Sequence, residues 1–232
     1  MNNYQFMEQE KSVLRWGGLS GVLGGFLFIL ALVFVETFIP SDPSNLTEWV
    51  ARFPDIHMIR VIENGLYLVA LIFEVPLFLA LVWALRKTSL APALFGSVLG
   101  IVGLVAMVVS ATPHVAHAPL SELYHATGTT PEAQATLVLV WQATWGVFNA
   151  PLYVGFFVVL MGLIILGAAM FGAPAFGKGF GWMSMLLGVV GLVAAVLQMV
   201  YPAAPVGVGS YFSSIIFYFI LGGKIYRLSK VL

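Results

Sequence analysis

The stretch NGLYLVALIFEVPLFLALVWAL, Asn64 to Leu85, decides the fold class. It holds a single charged residue, Glu74, in 22 positions. At 1.5 Å per residue, a helix of about 20 apolar residues crosses the roughly 30 Å hydrocarbon core of a bilayer. The run is therefore a transmembrane span, and Glu63 and Arg60 extend it outward on its N-terminal side. Comparable runs follow on both sides. Trp16–Val35 makes the first span and Thr88–Pro113 the third. Ala133–Gly177 is uncharged and holds a fourth helix, expected to be longer than the bilayer is thick and kinked at Asn149-Ala-Pro151. Gly179–Gly223 is too long for one span, and Tyr201-Pro-Ala-Ala-Pro205-Val-Gly207-Val-Gly209 divides it into a fifth and a sixth. The reading is an all-α bundle of six transmembrane helices forming one domain, residues 1–232.

Composition agrees. Of 232 residues, 60% are hydrophobic and 9% charged, and the mean hydropathy is +0.99; soluble domains carry about 25% charged residues. A soluble enzyme, a disordered chain and a disulfide scaffold are excluded. The absence of cysteine removes thiolate metal sites and cysteine nucleophiles. A net charge of zero leaves no basic face for nucleic acid.

Charge placement orients the bundle. Lys11, Arg15, Arg86, Lys87, Lys178, Lys224, Arg227 and Lys230 fall on one side of the spans, and only Arg52 and Arg60 on the other. The positive-inside rule then puts both termini in the cytoplasm, with a short tail at 1–13 and external loops at about 37–56 and 113–134. Glu8 and Glu10 stand where a signal peptide is basic, so the first span is expected to remain as an anchor. Each external loop is expected to carry a short surface helix. One begins at Asn45 with Glu48 three residues on, and its apolar face is Leu46, Trp49, Val50 and Phe53; the other begins at Thr130-Pro131-Glu132.

Leu99-Gly-Ile-Val-Gly-Leu-Val-Ala106 recurs as Leu187-Gly-Val-Val-Gly-Leu-Val-Ala194, and Leu66-Tyr67 as Leu152-Tyr153. Similar offsets suggest a parallel repeat of helices two–three and four–five. Gly17, Gly21 and Gly25, and Gly96 and Gly100, are spaced for close packing between helices of the same chain.

Ionisable residues inside spans are functional sites or buried pairs by default. On the second helix Arg60, Glu63, Tyr67 and Glu74 share one face, since Glu63 to Glu74 turns by about 1100°, within about 20° of the same direction. Gln142, Trp145, Asn149, Tyr153 and Phe156 form a polar and aromatic face on the fourth. By depth, Glu36, Arg60, Glu63, Gln142 and Gln198 fall in the outer half and Glu74 and Asn149 near mid-depth, so the polar residues describe a funnel opening outward. Arg60 is expected to pair with Glu63 or Glu36, and Glu74, which has no cation at its depth, to be neutral and to hydrogen-bond a neighbour such as Asn149 or a backbone carbonyl.

All four histidines, His57, His114, His117 and His125, fall on the outer side. His114-x-x-His117 with His125 offers imidazoles for zinc or copper, completed by His57 or an acid such as Glu36 or Glu122. A nucleophile elbow, a P-loop and a dinucleotide fingerprint are absent from the sequence.

Arg60-x-x-Glu63-Asn64…Glu74, Ala93-Leu-Phe-Gly96-Ser-Val98, Asn149-Ala-Pro151-Leu-Tyr153…Gly162 and Gly181-Trp182 give the chain a pattern that resembles the bacterial six-helix membrane family catalogued as domain of unknown function 4386. The resemblance runs from about Trp16 to Tyr226 and implies six spans in a bacterial inner membrane, with no assigned activity. The expected function is non-catalytic: an accessory subunit of a membrane complex, or a binder of a lipophilic or small ligand through Glu36, Arg60, Glu63, Tyr67, Glu74, Gln142 and Asn149. The alternative is a membrane enzyme with an outward-facing metal or acid–base site built from His114, His117, His125 and Glu63.

Overall fold

A computed structural model describes residues 3–39, 45–111, 113–201 and 205–231, and within these the side chains of 3–6, 113, 114 and 205 lie outside the description. Among the described residues the regular elements are helical: α1 (Asn3–Phe38), α2 (Leu46–Ser110), α3 (Pro113–His125), α4 (Pro131–Phe171), α5 (Gly177–Val200) and α6 (Val208–Leu228), with a 3-10 turn at Pro205–Gly207 before α6. Five helices are long and apolar enough to cross a membrane. Large apolar side chains such as Phe26, Leu79, Phe95, Val105 and Leu186 stand exposed around the bundle while others fill its core. A chain apolar on both sides of its helices is built for a lipid surround.

α2 is 65 residues long, about 98 Å if straight, and it is not straight. Ser89 leaves helical geometry at φ −149° and ψ 52°. Pro92 explains the place: it has no N–H to give Thr88, four residues back, and its ring crowds that carbonyl. The two arms, 46–88 and 90–110, fold against each other. Phe78 and Gly100, equally far from Ser89, meet ring against backbone, and the Tyr67 hydroxyl donates to the Met107 carbonyl at 3.3 Å. Pro54, Pro76 and Pro151 remain inside helices.

Residues 3–13 of the expected tail are helical, the first turns of α1; Lys11 pairs with Glu8 at 3.3 Å, and Glu10 pairs with Arg86, whose guanidinium lies 3.8 Å from the Trp83 ring centroid. Two sequence expectations change here. The helix begun at Asn45 is not a separate surface helix. Asn45 does cap it, its side chain accepting from the Thr47 N–H at 2.9 Å, but the helix runs on as α2, and Val50 and Phe53 are buried with Ile39, Ile56, Val138 and Trp141 in an outer apolar layer. Thr130 likewise caps α4 itself, accepting from the Ala133 N–H at 3.3 Å. The Glu132 carboxyl is held below the usual range by its own backbone N–H and by the Thr130 hydroxyl. The short helix of that loop is α3.

Glycine sets the distances between helices. Gly96 faces Gly162 and Gly103 faces Gly155 between α2 and α4, Gly167 faces Gly181 between α4 and α5, and Gly18 faces Gly222 between α1 and α6. A Cβ on any of these eight would lie 2.6–3.0 Å from the opposing carbonyl oxygen. Gly17 and Gly21 sit against Ala80 and Leu77 of α2, and Gly25 against Phe219 of α6, so the expected glycine stripes pack within the chain. Both copies of the repeated octapeptide lean on α4, through Gly103 on one side and Gly188 on the other.

Candidate functional site

α1, the first arm of α2, α4 and α6 enclose a cavity of about 460 Å³. Its rim carries Glu36, Arg60, Glu63 and Asn64, and its walls are Phe28, Leu32, Tyr67, Trp145, Phe148, Leu152 and Tyr211. Helical spacing delivers these groups: Arg60, Glu63, Asn64 and Tyr67 recur at three- and four-residue steps, as do Trp145, Phe148 and Leu152. Phe28, Tyr67 and Leu152 are buried, closing the inner end. The rings are braced edge to face, Phe28 against Tyr211 at 5.8 Å and Trp145 against Phe148 at 5.3 Å. Arg60 Nη1 stands 3.6 Å from Glu63 Oε2, and its guanidinium is 6.0 Å from the Trp145 ring centroid.

Of the seven residues expected to bind a ligand, Glu36, Arg60, Glu63 and Tyr67 therefore share one cavity. Three do not. Gln142 is exposed and Asn149 half-buried, because the line of Trp145, Phe148 and Leu152 sets the inward side of α4 and these two lie about 40–60° off its Trp145–Leu152 edge. Glu74 is fully buried one step deeper, outside the cavity lining. Its carboxyl packs on Gly24 of α1, whose missing Cβ leaves the space it occupies. The expected tie to Asn149 is not formed. Both carboxyl oxygens lack a hydrogen-bond partner among the described residues, and so does the nearby Tyr218 hydroxyl of α6.

Compared with protein-family models, curated proteins and solved structures, the chain has no match.

The histidines separate. His117 is buried, stacked on Trp141 at 4.1 Å and 17°, and its Nε2 lies 2.7 Å from the Thr144 hydroxyl. Its side chain is a filler of the outer apolar layer. His125 Nδ1 lies 2.8 Å from the Ser121 carbonyl within α3, and the His114 side chain lies outside the described residues. Among the described residues no group of three or more His, Asp or Glu side chains is arranged to hold a metal ion. Glu63, the acid of the alternative enzymatic site, is engaged with Arg60 in the cavity.

Sequence reading missed Phe28, Phe148 and Tyr211 as cavity walls. Apolar helices offer aromatic residues on every face, and only the neighbouring helix decides which of them turn inward. Gln198, expected with the funnel, is not in the cavity lining; its Oε1 accepts from the Gly207 N–H at 2.7 Å and ties α5 to the turn that starts α6.

Proposed function

We propose that this chain is a six-span membrane protein with both termini in the cytoplasm, and that it binds a small amphiphilic ligand, without catalysis, in the cavity between α1, α2, α4 and α6. Six crossings follow if each arm of α2 crosses once. The observation that carries the binding reading is the cavity itself: about 460 Å³, within the range of sites that hold drug-sized molecules, with a charged rim and an apolar, aromatic interior. Such a site matches a molecule with a polar head and an apolar body. The likeness to the six-helix bacterial family and a bacterial inner-membrane location belong to the same proposal and rest on the order of spans and on Arg60, Glu63 and Glu74.

Filling the cavity tests it. Ala31 is buried and lines the space, so Ala31→Trp is expected to abolish retention of small molecules seen by native mass spectrometry of the purified protein, while the protein still elutes as a single species. Retention unchanged in Ala31→Trp and in Leu152→Trp would place the bound molecules elsewhere and overturn the reading.

A further inference from the structure

The cavity's lining also bears on the charge of its ligand, an inference that rests on the binding reading above. Five aromatic rings border the space, from Phe28, Tyr67, Trp145, Phe148 and Tyr211. Ring faces are electron-rich and attract cations. Two carboxylates, Glu36 and Glu63, stand at the rim against one cation, Arg60. That cation is already engaged, by Glu63 and by the Trp145 ring. The carboxylates are not satisfied: Glu63 meets Arg60 as an ion pair only. The 3.6 Å ion pair is too long for a hydrogen bond, and Glu63 Oε2 is buried without a hydrogen-bond partner. Glu36 has no ion pair or hydrogen bond among the described residues.

An anion in this space would face two carboxylates across a rim with one cation, among rings that favour positive charge. A neutral ligand with no donor would leave Glu63 Oε2 as it is, buried and without a hydrogen bond. A positive head answers both, beside Glu63 and Glu36 and against the rings, with its apolar body along Leu32 and Leu152. We infer that the site is selective for lipophilic cations: an ammonium or other onium centre carried on a hydrophobic body.

The test uses the full chain in nanodiscs of zwitterionic lipid, with empty nanodiscs as the partition control. Three probes of similar size and different charge are compared at equilibrium: tetraphenylphosphonium, triphenylphosphine oxide and tetraphenylborate. Tetraphenylphosphonium is expected to bind saturably and at least about tenfold more tightly than the neutral oxide, with no saturable binding of the borate. Glu63→Gln is expected to weaken the cation about tenfold and leave the oxide unchanged. Glu36→Gln, at an exposed position where folding is not at risk, is expected to weaken it by a smaller factor in the same direction. If the oxide or the borate binds as tightly as the cation, or the two glutamine variants bind the cation like the parent, the charge inference is overturned and the cavity reading stands. If none of the three binds saturably, and Ala31→Trp changes nothing, the cavity reading itself has failed.

Discussion

Glu74 is the residue at which local chemistry and packing are hardest to reconcile. It sits in the middle of an apolar run, is fully buried, and leaves both carboxyl oxygens without a partner among the described residues. That it lacks a cation could be read from the sequence, because depth along a helix is simple counting. Its real neighbours could not. The sequence sets Asn149 at a similar depth, but the carboxyl packs on Gly24 of α1 with Tyr218 of α6 nearby, and the sign of this is the glycine at position 24 rather than any polar residue. The pair makes a prediction. A methyl on Gly24 would overlap Glu74 Oε1 and lie 3.0 Å from the Ala70 carbonyl oxygen, so Gly24→Ala is expected to destabilise the protein by about 1–3 kcal/mol. In a Glu74→Ala background most of that penalty should disappear, a coupling that thermal unfolding of the four proteins in detergent measures. Additive single and double variants would mean the two residues do not compete for space.

At the scale of elements, the bundle is held by backbone approach more than by side-chain chemistry. In a lipid surround apolar burial drives helix association weakly, and close packing of small residues takes its place. The four facing glycine pairs are that packing. Gly103→Ala puts a Cβ 2.6 Å from the Gly155 carbonyl oxygen and is expected to lower stability by about 1–3 kcal/mol by forcing α2 from α4. Gly146→Ala is the control, in the same kind of helix with nothing within 4 Å of the added carbon. It should be neutral or stabilising by up to about 1 kcal/mol, the helix-propensity gain of alanine. Equal effects of the two substitutions on the unfolding midpoint would show that the glycines are not spacers. The apolar runs were legible because hydropathy is local: the bend at Ser89 falls just after the charges Arg86 and Lys87 that separate two of them, and the break before α6 falls close to where Pro and Gly placed it. Which helices touch was not legible. Helices apolar all round carry no face that names a neighbour, and Gln142 shows the consequence: at its level Trp141 and Val138 take the inward side of α4, against Phe53.

For the whole molecule, the formal charge of zero conceals a separation of charge between the two ends of the bundle, and the proposed topology rests on it. The N-terminal turns of α1, the bend at Ser89, the α4–α5 turn and the end of α6 carry Lys11, Arg15, Arg86, Lys87, Lys178, Lys224, Arg227 and Lys230, while the opposite end carries Arg52 and Arg60 among most of the acids. If α2 crosses twice, the basic groups are gathered on one side; if it crosses once, the bend must lie elsewhere and the separation is lost. The chain has no cysteine, so single cysteines report position without background. Ser12, Thr88, Thr127 and Lys178 are all exposed. In intact cells a membrane-impermeant maleimide is expected to label Thr127→Cys and to leave Ser12→Cys, Thr88→Cys and Lys178→Cys unlabelled until the membrane is opened. The decisive position is Thr88, beside the bend. Labelling there from outside, with Ser12 still shielded, would make α1 and the first arm of α2 together cross an odd number of times, and the six-span arrangement with its outward cavity would fall.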